Sequence, residues 1–160
     1  MTASATVRPG DRGSLSIARS TWSGVLCGIG VAAFVDEAVF HQLLHWHHFW
    51  DGSTSTAGLV SDGWFHAFGW LAIVGGLVLL ADLQRRHGLS GLRWVGATLA
   101  GWGGFQLWDG LVQHKLLGLH QIRYDVDLLP YDVVWNVVAV LLIAVGVVLL
   151  ARSRTGPARG

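Results

Sequence analysis

Residues 36–48 read DEAVFHQLLHWHH, which places two acids and four histidines at the end of an otherwise apolar run. Ionisable side chains inside a membrane-length segment are costly, so they indicate function. The pattern returns 73 residues later, and both copies read Asp-x4-His-x-Leu-Leu-x2-His. The equivalent pairs are Asp36 with Asp109, His41 with His114, and His47 with His120.

The composition of the whole chain indicates a membrane protein. Of its 160 residues, 52% are hydrophobic and only 13% are charged, whereas soluble domains carry about 25% charged residues. A net charge of +1 gives no basis for binding nucleic acid. The single cysteine, Cys27, excludes an internal disulfide and a cysteine-rich zinc or iron–sulfur site.

Four apolar segments have the length of about 20 residues that a bilayer requires. They cover residues 22–44, 63–83, 94–117 and 131–150. The second and fourth segments also match each other, with Asp62 equivalent to Asp132. The sequence therefore predicts an all-α integral membrane protein, a four-helix bundle of two tandem helical hairpins that form a parallel internal repeat.

The predicted domain boundaries follow from these segments. The transmembrane domain covers residues 21–151, with repeat one at 22–83 and repeat two at 94–151. A flexible cytoplasmic tail (1–20) precedes it, and a basic cytoplasmic tail (152–160) follows it.

Lysine and arginine positions predict the orientation in the membrane. Both tails and the loop at 84–93 are basic, whereas the loop at 49–61 has no Lys or Arg. We therefore expect a multi-pass membrane protein with both termini in the cytoplasm. All the histidines except His87 then lie toward the outer face.

An unbroken α-helix cannot aim Asp36, His41 and His47 at one point, because each residue turns it by about 100°. Gly118 offers a solution, since glycine commonly follows the last residue of a helix. If the helix ends there, His120 can fold back toward His114, and His47 can do the same in the first copy.

Imidazole suits zinc and copper, and a ligand histidine usually passes its other N–H to a carboxylate or carbonyl. The sequence therefore predicts a copper or zinc site near the outer face. The predicted ligands are His41, His47, His66, His114 and His120. Their predicted partners are Asp36, Asp62, Asp109, Asp132 and Asn136. Because imidazole must be neutral to bind, metal affinity should fall as pH drops through about 6.5.

Three alternatives remain open at this point. The chain could be a membrane metalloenzyme with redox or hydrolytic activity, which needs an open coordination position. The histidines could hold a haem between helices, a less favoured cofactor. They could also form a metal-free hydrogen-bonded network in a structural bundle. Expected partners are the lipid bilayer and a metal-delivery or respiratory-assembly protein.

Three stretches resemble a bacterial family of membrane proteins known as domain of unknown function 2243. They are FVDEAVFHQLLHWHH (34–48), SDGWFHAFGW (61–70) and GGFQLWDGLVQHKLLGLHQIR (103–123). The resemblance implies a four-helix integral protein of the bacterial inner membrane and no established activity. Family members often have Gln at the position of His45, and their genomic setting resembles that of companions of a copper-assembly protein, which implies copper.

Overall fold

The computed structural model describes residues 9–155, and every element in that range is helical. The first and third helices each continue into a π-helical segment. The helices are α1 (Pro9–Asp36), α2 (Ser55–Arg85), α3 (Gly91–Trp108) and α4 (Leu128–Thr155), and the π-helical segments are Glu37–Leu43 and Asp109–Leu117.

The first helix begins earlier than the sequence predicts. Residues 9–20, assigned above to a flexible tail, are the start of α1, and residues 1–8 lie outside the described range. Ser16 donates a hydrogen bond to the carbonyl of Gly88, and Arg19 pairs with Asp82 at 2.9 Å. These contacts with the end of α2 and the loop that follows it stabilise the additional N-terminal turns of α1. Likewise, α4 reaches Thr155, and the rest of the predicted basic tail lies outside the described range.

Within residues 9–155, three stretches are long and apolar enough to cross a membrane: Gly13–Leu43, Ser55–Arg85 and Leu128–Arg154. The third helix is not among them by length and composition. Its sequence contains five glycines before residue 105 along with Thr98, Gln106 and two tryptophans before Trp108, which lower its mean hydropathy. This helix packs between α1 and α4.

Small residues set the packing order of the helices. Close backbone contacts join α1 to α2, α1 to α3, and α3 to α4, whereas none joins α2 to α4 within the described residues. At the central crossing, a Cβ on Gly28 would lie 2.1 Å from the Thr98 carbonyl, and one on Gly101 would lie 2.6 Å from the Val25 carbonyl. The helices of the predicted bundle therefore form a row, α2–α1–α3–α4, with glycines at the close crossings.

The outward faces of the two flanking helices are apolar. On α2, Trp64 and Leu71 are about three-quarters exposed, and on α4 Val134 and Leu141 are more than half exposed. Large exposed apolar patches are rare on soluble monomers. These faces suit contact with lipid, and they leave the polar residues gathered at one end of α1 and α3.

Candidate metal centre

The two π-helical segments change the direction of the side chains that precede the loops. A π-helix closes its turn over five residues, so positions five apart, such as Asp36 and His41, approach the same face. The second segment ends at Gly118, whose φ is +59°, as the sequence predicts. His45 takes the equivalent conformation at the end of the first, with φ of +52°. Both chain reversals bring a later histidine back toward the helix end.

The two loop histidines bind reciprocally to the opposite loop. His47 Nδ1 lies 2.9 Å from the carbonyl oxygen of Ile122, and His120 Nδ1 lies 2.9 Å from that of Phe49. A carbonyl only accepts hydrogen bonds, so each Nδ1 carries the proton. Each Nε2 is therefore an unprotonated lone-pair atom in the neutral ring.

Four imidazole rings form one buried cluster, with exposed fractions of 1–5%. His47 and His120 stack with centroids 4.5 Å apart and an interplanar angle of 4°. The ring of His41 lies 4.5 Å from that of His47, and the ring of His114 lies 4.7 Å from that of His120. The cluster thus joins both copies of the repeated motif.

Two buried aspartates border this cluster. Asp109 Oδ2 lies 3.1 Å from His114 Nε2, and its Oδ1 lies 3.8 Å from His120 Nε2. Asp36 Oδ2 lies 3.9 Å from His41 Nε2. One nitrogen or oxygen from each of His47, His114 and His120, and likewise from Asp36, His41 and His47, fits within 4.8 Å.

Two further carboxylates lie beside the other ring nitrogen of His41, Nδ1. Its Nδ1 lies 2.9 Å from Glu37 Oε2 and 3.0 Å from Asp62 Oδ1. Asp62 also accepts from the Phe49 backbone N–H at 2.7 Å, and its Oδ2 lies 2.6 Å from His48 Nδ1. One Nδ1 hydrogen cannot satisfy two carboxylates, and these three residues also lie within metal-binding reach of one another.

Many polar atoms in the cluster lack a hydrogen-bond partner among the described residues. They include Nε2 of His41, His47 and His120, both ring nitrogens of His114, and both carboxylate oxygens of Asp109. The 3.1 Å approach of His114 to Asp109 is therefore an ion-pair distance without hydrogen-bond alignment. Buried polar atoms are nearly always paired, so such a group needs an explanation.

Burial keeps the loop histidines neutral. It lowers the pKa of His47 to about 2, helped by the neighbouring His120, and it lowers the pKa of His120 to about 4 against the opposing effect of Asp109. The expectation that protons compete near pH 6.5 therefore does not hold for these two rings. Both remain able to bind a metal in more acidic solution.

The structure separates some predicted site residues from the cluster. His66 is exposed on α2, and its Nε2 accepts a hydrogen bond from Trp70 Nε1 at 2.9 Å. Asp132 pairs with Lys115 at 2.6 Å, and Asn136 donates to the Asp132 carbonyl. The contacts given for these three side chains lie outside the four-histidine cluster, so the prediction that they join it is not supported.

Three further residues take part in or border the site: Glu37, His48 and Gln113. Glu37 and His48 lie beside predicted ligands in the sequence, but they have no acid or histidine at the equivalent positions, Gly110 and Gln121. The repeat therefore gave no signal for them. Gln113 precedes His114 and is fully buried.

Comparison with known proteins gives one match. No curated protein and no solved structure is similar to this chain. The sequence profile of a family described as "Predicted membrane protein (DUF2243)" matches residues 23–153. That range contains the second half of α1, all of α2 and α3, and most of α4, together with every residue of the cluster. The chain therefore belongs to the DUF2243 family of predicted membrane proteins.

Proposed function

We propose that this protein binds a transition metal, copper or zinc, through the histidine cluster and serves in metal handling or respiratory-complex assembly. The ion would be held mainly by His47, His114 and His120, with His41, Asp36 and Asp109 beside it. Imidazole nitrogen is a favoured ligand of both metals. The partner would be a metal-delivery or respiratory-assembly protein.

One observation carries this proposal: buried imidazole lone pairs face one another and have no hydrogen-bond partner within the described chain. The Nδ1 hydrogens of His47 and His120 are held by backbone carbonyls outside the cluster. Such outward bonds fix the tautomer and orient the other nitrogen toward a metal.

The charges of the site favour a bound cation. Four carboxylates, Asp36, Glu37, Asp62 and Asp109, are 1–4% exposed. Their ion-pair partners among the described residues are all histidines, and two of the cluster's rings are neutral. Burying unpaired carboxylates is costly. A divalent metal offsets this cost.

A metal-free structural network explains the arrangement less well. Such a network is stable only when every buried donor and acceptor is satisfied. Here the cluster keeps unpartnered nitrogens on all four rings and both unpartnered oxygens on Asp109, within the part of the chain described. Repacking with apolar side chains would cost less than this arrangement without an ion.

A surface pocket gives a route for the metal. It has a volume of about 180 Å³ and is lined by His45, Trp46, His47, His48, Asp51 and Tyr124. His47 belongs both to this pocket and to the buried cluster. The histidines and the aspartate in its lining would offer successive ligands to an entering ion. This route supports metal handling rather than permanent storage.

The proposal includes a membrane arrangement. We propose four transmembrane helices in two tandem hairpins, with both termini cytoplasmic in the inner membrane and the cluster at the outer face. The reciprocal bonds of His47 to Ile122 and of His120 to Phe49 support a pseudo-two-fold relation, since His120 and Ile122 each lie 73 residues after their counterparts, His47 and Phe49. A reporter inserted near Ser55 should score external, and one fused after Gly160 should score cytoplasmic.

The test of the metal site is elemental analysis of purified protein after reconstitution with copper or zinc. We expect about one ion per chain, and less than a tenth of that in His47→Ala and in His120→Ala. His66→Ala is the matched control, because His66 is exposed and lies outside the cluster.

Loss of metal in His66→Ala as well, or a parent that stays empty with both ions, rejects the proposed site. Circular dichroism of each variant establishes that the helices remain. Where His47→Ala does not fold, His47→Gln keeps a polar side chain and removes the imidazole, and it should give the same loss.

A further inference from the structure

A second set of possible ligand atoms lies at His41 Nδ1, the ring nitrogen that does not face Asp36. Glu37, His41 and Asp62 are 1–2% exposed, and one ligand atom from each lies within 4.8 Å of the others. His41 Nδ1 lies 2.9 Å from Glu37 Oε2 and 3.0 Å from Asp62 Oδ1. In octahedral coordination with bonds of about 2.1 Å, neighbouring ligand atoms lie about 3.0 Å apart. These atoms are therefore spaced like ligands of one ion.

Hydrogen bonds from outside this set orient both carboxylates. Gln42 Nε2 donates to Glu37 Oε1 at 2.8 Å, so the other oxygen of Glu37 is left for a ligand. Asp62 Oδ1 accepts from the Phe49 backbone N–H at 2.7 Å, and Asp62 Oδ2 lies 2.6 Å from His48 Nδ1. Carboxylates that bind a metal are usually fixed by such bonds. The oxygen ligands are thus held in position by their neighbours.

Glu37 Oε2 is the atom in this set that indicates a ligand. It is buried and has no hydrogen-bond partner among the described residues, although it lies beside His41 Nδ1. A single hydrogen on Nδ1 can serve Asp62 or Glu37, but not both. A buried carboxylate oxygen without a partner is costly. A cation removes that cost, because all three side chains can then contribute a lone pair.

The charge of the set matches a divalent cation. Glu37 and Asp62 together carry two negative charges when ionised, and their ion-pair partners within residues 9–155 are histidines. An ion in the histidine cluster lies nearer to Asp36 and Asp109, whose carboxylates border that cluster. A neutral His41 ring adds no charge. A second cation would therefore balance Glu37 and Asp62.

We propose that Glu37, His41 and Asp62 form a second metal site, which binds a divalent cation of the manganese(II) type. Carboxylates suit manganese, whereas imidazoles suit copper and zinc. His41 would bind through Nδ1, so its Nε2 would carry the hydrogen and would not bind the ion of the histidine cluster. Copper and zinc should be held less firmly here and be lost on desalting, so elemental analysis should still count about one of those ions per chain.

His48 connects this second site to the surface. It lines the pocket of about 180 Å³ described above, and its side chain is 26% exposed. Its Nδ1 contacts Asp62 Oδ2. An entering ion would reach Asp62 by displacing the His48 ring from that oxygen.

The test is titration of manganese(II) into metal-free protein in detergent, made without a polyhistidine tag. Electron paramagnetic resonance measures the free ion, whose sharp multi-line spectrum is lost on binding. We expect about one bound manganese per chain, and at least about tenfold weaker binding in Glu37→Gln and in Asp62→Asn. Asp132→Asn is the matched control and should bind like the parent, because Asp132 is equivalent to Asp62 but pairs with Lys115.

Circular dichroism establishes that each variant keeps its helices. Where Asp62→Asn does not fold, Glu37→Gln decides the matter, because its amide keeps the size of the side chain and an acceptor for Gln42.

The two metal sites can fail separately. His120→Ala removes a proposed ligand of the histidine cluster, but it should still bind manganese with the affinity of the parent. A parent that binds copper or zinc but no manganese overturns only the second site. A parent that binds manganese but neither copper nor zinc overturns only the site in the histidine cluster.

Unchanged affinity in Glu37→Gln also overturns the second site, since a proton shared with His41 would then balance the carboxylates. Loss of manganese from His120→Ala overturns it as well, because the ion would then lie in the histidine cluster. Magnesium in about 100-fold excess should not displace the manganese, since imidazole is not among the ligands that suit magnesium. Displacement by magnesium would show that His41 is not a ligand.

Discussion

The two halves of the centre hold equivalent histidines in different surroundings. In the first half, His41 Nδ1 faces Glu37 and Asp62 at 2.9 and 3.0 Å. In the second half, His114 Nδ1 has no hydrogen-bond partner among the described residues. The position equivalent to Glu37 is Gly110, and the aspartate equivalent to Asp62 pairs with a lysine. The halves therefore share histidines but not the charge around them.

Packing explains why the second half has glycine at the position equivalent to Glu37. A Cβ on Gly110 would lie 2.8 Å from both Asn136 Oδ1 and Trp135 Cδ1. Any longer side chain there would push α4 away. In the second half, α4 therefore occupies the space that the acidic residues take in the first half. The histidine positions are the same in both halves, but the charge around them differs.

The largest expected effect compares His114→Ala with His41→Ala. His114 belongs to the all-histidine set with His47 and His120, whereas His41 does not. We expect metal content below a tenth of the parent in His114→Ala. In His41→Ala we expect the ion to remain with affinity reduced about 10- to 100-fold, as for a supporting residue. Competition with a chelator of known affinity measures both.

The reverse ranking of these two variants would place the ion in the first half, between Asp36, His41 and His47. Equal retention in both would leave the histidines without a metal role.

The next effect is the pH dependence of the stability of the metal-free protein. Each half contributes to it through one loop histidine. In the unfolded chain both imidazoles titrate near 6.5, whereas the folded pKa of His120 is about 4 and that of His47 is about 2. Between pH 6.5 and 4 the unfolded chain binds more protons. The free energy of unfolding should fall there by about 1.4 kcal/mol per pH unit for each histidine.

Thermal unfolding in detergent from pH 7.5 to 4.5 measures this slope. Above 6.5 these groups contribute no slope, since both states are neutral. His47→Gln and His120→Gln should each remove about half of it. A parent whose melting temperature stays constant down to pH 4.5 would show that the loop rings are not held neutral.

The sequence predicted the main features of the fold. Apolar lengths located all four helices, and the repeated motif located the residues that meet. Hydropathy alone could not anticipate the row of helices, since that arrangement depends on tight crossings such as Gly28 with Gly101. The π-helical segments have no sequence signature in the 3.6-residue period, so the approach of Asp36 and His41 was not predictable.

The site was predictable where the two copies agree. Gly118 marked the helix end that lets His120 return, and the structure has that turn. His66 was misplaced because it lies four residues after Asp62, which suggests a shared face. An edge helix such as α2 buries only a narrow strip, so Asp62 is buried while His66 is exposed.

A smaller effect separates Asp62→Asn from Asp132→Asn. Asp62 is 1% exposed and is approached by His41, His48 and the Phe49 backbone N–H. Replacing one acceptor oxygen by NH2 leaves a buried donor unpaired, which should cost about 1–3 kcal/mol of stability. Asp132 pairs with Lys115, whose side chain is 39% exposed, so its loss should cost less than about 1 kcal/mol.

Thermal melts of the metal-free variants check this ranking. Similar losses of stability in the two variants would mean that Asp62 stabilises the fold no more than Asp132 does.

The smallest effect compares the two left-handed turns, His45 at φ +52° and Gly118 at φ +59°. An L-residue in this conformation costs roughly 1–2 kcal/mol, and glycine avoids the cost but loses roughly 0.5–1 kcal/mol in backbone entropy. His45→Gly should therefore stabilise the protein by at most about 1 kcal/mol. Gly118→Ala, where a Cβ meets nothing within 4 Å, should destabilise it by a similar amount.

Metal content should not change in either turn variant, because His45 is exposed and Gly118 offers no ligand. Melting temperatures that shift in opposite directions would establish that both halves use the same turn to return their loop histidines. If His45→Gly instead lowers both stability and metal content, the His45 side chain supports the first half beyond its backbone conformation, and the surface pocket that it lines becomes the place to look.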